Sequence, residues 1–334
     1  MVAGAFVGFP VSAALLFLSV RHLHGDELRA SLRDARLPFL ASAAALMSVV
    51  YVLQAARWRV LANAGDVRLT RFVRWVVACV AVNNVVPGRV GDVLRAEWLS
   101  RGTRRARASS ISSVIVDRGF DIVTLVAALA LTYPFVPHAA WLRDLRLVAG
   151  AVGLLVGASF LAAVVYARRS RASARRGLLG MLTDVVQRTG DVFHRRSGAR
   201  AGLLSAMAWA AWSVSAWLVA SALGIALTPV EALFVTAVLN LGAAIPSSPG
   251  FIGTYQWLGV SALTVLGVGH TRAFAFSVLM HAVWFVPTTM AGAALALFKS
   301  TPAATGLPNP VRRSTVDPLL PMPAAPAPTR STRA

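Results

Sequence analysis

The sequence predicts an all-α protein that crosses a membrane several times. Three observations carry this expectation. Of the 334 residues, 57% are hydrophobic and 14% charged, where an ordinary soluble domain carries about 25% charge; mean hydropathy is +0.65. The apolar residues fall in runs of about 20, the length that spans roughly 30 Å of hydrocarbon. The arginines sit in short connections between those runs, the distribution of the positive-inside rule.

Full-length apolar runs lie near 3–20, 37–56, 110–136, 147–166, 201–226 and 272–298, which predicts six crossings. The first run lacks a basic flank and a small-x-small cleavage site, so it reads as a retained membrane helix. Two further apolar regions, 72–100 and 230–269, are interrupted by proline and glycine. Neither residue continues a helix without cost in backbone hydrogen bonds or entropy, so each region reads as two half-helices meeting at a break.

Basic residues set the expected orientation. Arg57, Arg59, Arg68, Arg71 and Arg74 lie in 57–74, and Arg101, Arg104, Arg105 and Arg107 in 101–109, while 168–200 is denser still. These connections face the cytoplasm of a bacterial-type inner membrane, and 138–146, 227–229 and 270–272 face outward. Connection 21–36 mixes four arginines with Asp26, Glu27 and Asp34 and goes outside by parity alone. Both termini are then cytoplasmic, and the two broken hairpins enter from opposite sides.

The expected organisation is a membrane domain over 1–298, with a first repeat at about 37–136, a basic linker at 167–200 and a second repeat at about 201–298. Residues 178–193 of the linker form an amphipathic stretch suited to anionic headgroups. Residues 299–334, rich in Pro and Ala, read as a disordered cytoplasmic tail.

A formal net charge of +20 in a soluble protein would suggest nucleic acid. Here the arginines flank membrane runs, with no aromatic-interleaved basic domain, so nucleic acid is not an expected partner. The lone Cys79 has no disulfide partner and reads as a small buried hydrophobe. There is no P-loop, HExxH, GxSxG or Cys/His metal cluster, so neither a cofactor nor a metal is expected and a transporter-like protein is expected over an enzyme, although an enzyme acting on lipid phosphate could still use the Asp and Arg residues.

An internal repeat is the most informative feature. Pro87-Gly88-Arg89-Val90-Gly91 recurs as Pro249-Gly250-Phe251-Ile252-Gly253, the first after Asn83 and Asn84, the second after Asn240 and Pro246. Non-helical backbone at membrane depth needs protein or a watery cavity around it, and matched interruptions in two halves are the best sequence pointer to a transporter site. The bland alternative is that the glycines permit close helix packing.

Charged residues sharpen the expectation. Arg89, Asp92 and Arg95 share a helix face at i, i+3 spacing, with Glu97 beyond, and Asp117, Arg118 and Asp121 interrupt the next apolar run. Intramembrane charges face a cavity or each other. Arg89 or Arg95 pairing with Asp117 or Asp121 would serve a ligand gate or a structural staple equally well, and both readings stay open. His281 reads as a helix-to-helix hydrogen-bonder, and the Trp and Tyr residues as interfacial or packing anchors.

The stretches from Asn83 to Arg95, from Asp117 to Asp121 and from Pro246 to Thr254 together resemble the flippase-like membrane-domain family of lysylphosphatidylglycerol synthases, over roughly residues 5–298. The resemblance implies two inverted repeats with re-entrant hairpins and a role in moving lipids between leaflets. It implies anionic phospholipids, polyprenyl-phosphate sugars or hopanoid-type lipids as ligands. A lipid-modifying enzyme or glycosyltransferase is a further candidate partner, and self-association is open. Aminoacyl transfer is not expected, because about 35 residues of tail are too few for a synthase domain. Asp117 and the neutral Gln256 stand where the family often has glutamates, so a mechanism needing one carboxylate per repeat is not carried here.

Overall fold

The computed structural model describes residues 2–87, 89–136, 196–242 and 247–298. The expected crossing at 147–166, the amphipathic stretch at 178–193, the tail, Gly88 and Pro246 lie outside the described residues. Within them there are ten α-helices and no strand. These are α1 (Val2–Val20), α2 (Gly25–Arg33), α3 (Leu37–Leu61), α4 (Leu69–Val85), α5 (Val90–Thr103), α6 (Arg107–Thr132), α7 (Arg196–Ala222), α8 (Pro229–Leu241), α9 (Thr254–Val265) and α10 (His270–Phe298).

Among them, α3, α7 and α10 are long and apolar enough to cross a membrane by length and composition. Helix α6 has the length, but Arg107, Asp117, Arg118 and Asp121 lie within it. Local chemistry explains the ends. Pro38 starts α3, where a missing N–H costs nothing. Thr228 and Glu231 cap α8 reciprocally, each side chain bonded to the other's backbone N–H at 3.3 and 2.7 Å. Pro87 stops α4 two residues after Val85.

One boundary departs from expectation with consequence. The apolar run ends near residue 56, but α3 continues to Leu61, so Arg57 belongs to the helix and not to the basic connection. It is 1% exposed. A helix tolerates a buried guanidinium there because two carboxylates of α6 meet it.

Helices α3 and α7 pack along each other, α10 crosses α4 and packs on α9, and α8 lies against α6 and α7. Trp58 anchors the first half, edge-on to Phe72 at 4.7 Å and to Trp75 at 6.1 Å. Phe234, Phe276 and Met280 are fully buried in the second.

Both predicted interruptions are present, one between Val85 and Val90 and the other between Leu241 and Thr254, where Pro249–Phe251 forms a single 3-10 turn. Their backbones match. The third residue of each repeat is left-handed, Arg89 at φ 54° and Phe251 at φ 60°, a region that costs a residue with a Cβ about 1–2 kcal/mol. The fifth residue is a glycine whose N–H donates to a side-chain amide oxygen. Gly91 bonds Asn83 Oδ1 at 2.8 Å, and Gly253 bonds Gln256 Oε1 at 2.7 Å. A methyl on Gly91 would collide with the Cys79 carbonyl, and one on Gly253 with the Ser12 carbonyl. Close packing and the break are thus one feature, not alternatives.

This packing makes glycine substitutions discriminating. Gly91→Ala should destabilise by about 1–3 kcal/mol, the usual cost of forcing atoms into a filled site. Gly119→Ala, on an open face of α6 with nothing within 4 Å of the new methyl, should be neutral or mildly stabilising. Thermal unfolding of both variants in one detergent measures the contrast, and equal melting points would contradict the packing at the break.

Candidate functional site

Six charged side chains close into a ring beside the first break. Arg57 of α3 bonds Asp117 at 2.8 Å and Asp121 at 2.7 Å. Asp117 also takes Arg95 at 3.1 Å, and Arg95 Nε lies 3.3 Å from Asp92. Asp92 accepts from Arg118 at 2.7 Å, and Arg118 reaches Asp121 at 3.2 Å. Every guanidinium therefore lies between two carboxylates and every carboxylate between two guanidiniums.

The helices place these groups by simple periodicity. Asp117 and Asp121 are one turn apart on α6 and both face α3, where Arg57 waits. Asp92 and Arg95 are i, i+3 on α5. Neighbours complete the shell. Ser205 of α7 accepts from Arg57 at 2.8 Å, Trp209 donates its indole N–H to Asp121 at 3.2 Å, and the Arg95 guanidinium sits 4.9 Å from the Trp58 ring centre. Cys79, read as a plain buried hydrophobe, also lies with Sγ 3.5 Å from an Asp92 oxygen.

Exposure is graded around the ring. The Arg57 and Asp117 side chains are 1% and 2% exposed, whereas Asp92 is 16% and Arg118 36%. The ring thus has a sealed side at α3 and an open edge at Asp92 and Arg118. Arg89 is exposed at the start of α5 and within Coulombic reach of Arg118, Asp92 and Asp121. A negatively charged group arriving at that edge would meet Arg89 and Arg118 together.

The two breaks touch. Asn84 at the end of α4 donates to Thr289 of α10 at 2.8 Å. A methyl on Gly250 would stand 3.1 Å from the Asn84 carbonyl oxygen and 2.6 Å from the Phe285 ring. The second break is held by neutral groups. Ser248 N–H donates to Ser12 of α1 at 2.7 Å, and Gln256 Nε2 meets His281 Nδ1 at 3.0 Å, which is the helix-to-helix bond expected of His281. At the half-helix starts, Gly91 and Gly253 spend their amides on side-chain oxygens.

Of the expected residues, Asp92, Arg95, Asp117, Arg118 and Asp121 are brought together in the ring. Asn83, Asn84, Pro87, Gly91, Pro249, Gly250 and Gly253 shape the breaks, and Arg89 stands at the open edge. Asn240 does not bridge its break: its Nδ2 bonds Thr236 O within α8 at 2.9 Å, and Gln256 takes the bridging role from the other side. Sequence reasoning missed Arg57, Ser205 and Trp209. Arg57 escaped because an arginine at the end of an apolar run reads as an ordinary interfacial flank.

Comparison with known proteins follows the same outline. The family model for the lysylphosphatidylglycerol synthase transmembrane region matches residues 2–292. A glycosyltransferase, AglD of Haloferax volcanii, is 25% identical over 329 residues, covering 85% of this chain and 53% of that protein. The chain thus spans about half the length of this curated relative. No solved structure matches.

Removing one member of a buried charge network leaves its partners uncompensated, at a cost of about 3–5 kcal/mol. Arg57→Ala should therefore unfold far more readily in detergent than Arg101→Ala, whose exposed bond to Glu97 is screened by solvent. Asp117→Asn combined with Arg57→Ala should recover part of the loss. A double variant no more stable than Arg57→Ala would show that the two are not coupled.

Proposed function

The chain belongs to the family of lysylphosphatidylglycerol synthase transmembrane regions, and from that premise we propose that it is a lipid translocase for an anionic or polyprenyl-phosphate-type lipid. The observation that carries this reading is the open edge of the charge ring, placed at the first of two helix breaks that meet. A lipid phosphate enters beside Arg89 and Arg118. Arg95, one position deeper, holds the ring closed behind it.

Electrostatics explains why a phosphate competes there. Asp92 is the carboxylate nearest the opening and bonds Arg118 at 2.7 Å. A phosphate oxygen satisfies the same guanidinium with a similar charge-assisted bond, so the exchange replaces one anion by another and leaves no bare cation in the membrane. Asp117 and Asp121, held from behind by Arg57, stay in place. The ring then acts as a staple on its sealed side and as a gate at its open one. Broken hairpins entering from opposite faces, with both termini cytoplasmic, supply alternating access in this scheme. No nucleotide-hydrolysis motif is present in the sequence, so the driving force is an ion gradient, a lipid gradient or a partner.

The Haloferax relative favours one second reading. That protein is called a glycosyltransferase and is about twice as long as the matched stretch. In this reading the chain is the membrane platform for a lipid-modifying or glycosyl-transferring enzyme, and the basic connections recruit it.

Reconstituted liposomes separate the two. Labelled phosphatidylglycerol or polyprenyl phosphate should equilibrate between leaflets faster than in protein-free vesicles, and Arg118→Gln should slow it about tenfold, the worth of one charged hydrogen bond. Rates equal to those of empty vesicles for every lipid class would remove the translocase. A copurifying glycosyltransferase whose product survives Arg118→Gln would establish the platform.

A further inference from the structure

The second half of the molecule contains a cluster of buried aromatic residues with more hydrogen-bond donors than acceptors. Tyr255 of α9, His281 and Trp284 of α10 and Trp212 of α7 are all at least nine-tenths buried. Their rings are contiguous. His281 stacks on Trp284 at 5.0 Å and lies 4.8 Å from Tyr255, and Trp284 lies 6.3 Å from Trp212. Four polar atoms of this cluster have no hydrogen-bond partner: Trp212 Nε1, Trp284 Nε1, Tyr255 Oη and His281 Nε2. Buried polar atoms in native proteins are overwhelmingly paired, so four orphans in one place call for a ligand or water.

The sense of these groups follows from the break itself. Gly253 N–H points at Gln256 Oε1, which identifies that atom as the carbonyl oxygen. The amide nitrogen of Gln256 therefore faces His281 Nδ1 and donates to it. Nδ1 accepts, so the imidazole carries its proton on Nε2, and the Gly250 backbone carbonyl lies near the ring, outside hydrogen-bond geometry. Both indoles can only donate. Trp284 Nε1 lies near the Tyr255 hydroxyl, outside hydrogen-bond geometry. Closing both contacts would still leave the tyrosine's own proton and the Trp212 indole N–H without an acceptor in the cluster. Of the four, Tyr255 lies in the first turn of α9, the positive end of a helix.

We infer that this cluster is a second binding station, built from neutral donors, for the oxyanion of a phosphodiester. It differs in kind from the charge ring: indole, imidazole and phenol protons take the place of guanidiniums. The chemistry fits a lipid headgroup or free phosphate alike. In taking the lipid as its source the inference rests on the translocase reading. Trp209, which donates to Asp121 of the ring and lies 5.6 Å from Trp212, links the two stations.

Indole N–H resonances of the full chain, labelled with ¹⁵N-tryptophan in a neutral detergent, test this directly. Trp212→Phe and Trp284→Phe assign the two signals. Short-chain phosphatidylglycerol, inorganic phosphate and a short-chain uncharged diacylglycerol are then titrated separately. Both signals should shift saturably with phosphatidylglycerol, and Tyr255→Phe should weaken that response about tenfold. A matching response to inorganic phosphate would make the oxyanion alone the ligand, and a response to the lipid only would make the headgroup the ligand; both support the station. Equal shifts with diacylglycerol, or no shift with indole protons exchanging rapidly with water, would overturn it. Saturable shifts in a protein that fails to scramble lipids would sink the translocase and leave the station standing.

Discussion

Everything else in the first half depends on a single electrostatic constraint: three arginines and three aspartates removed from water must neutralise each other or unfold the helices that carry them. A buried pair seldom repays its desolvation. The closed ring does better than separate pairs, since each charge is shared by two neighbours of opposite sign. Ser205 and Trp209 satisfy further valences from α7. The ring ties α3, α5 and α6 together, and it fixes where α5 restarts after the break.

The breaks show two solutions to one problem. Interrupting a helix exposes amides and carbonyls that must find partners away from water. At both breaks a side-chain amide supplies the oxygen and a glycine supplies the close approach, with the preceding x residue turned left-handed. Beyond that shared frame the halves diverge. The first break is backed by ions, the second by Ser12, Gln256 and His281. The repeat thus keeps its backbone while exchanging charge for neutral polarity.

The long described helices and the breaks were legible because proline, glycine and long apolar runs act locally, whereas α2 lies inside the expected connection 21–36. Pairing of Arg89 or Arg95 with Asp117 or Asp121 was expected as a set of alternatives, of which the structure joins Arg95 to Asp117. Arg57 was not legible. Arg89 already balanced the three aspartates numerically, so nothing in the count demanded another cation, and the end of an apolar run hides a buried arginine among interfacial ones. Asn240 precedes the second repeat as Asn83 precedes the first, yet the bridge there is built by Gln256, downstream of the motif. Such exchanges depend on which side chain reaches across the gap, and that distance is set by tertiary packing.

The contact between Ser12 and the second break bears on how the protein is made. Ser12 emerges from the ribosome long before Ser248 and Thr254, the groups it meets. Helix α1 therefore makes this contact only after the second break has been synthesised. Contacts so distant along the chain close late and slowly. The contact thus ties the first described helix to a break 236 residues later in the chain.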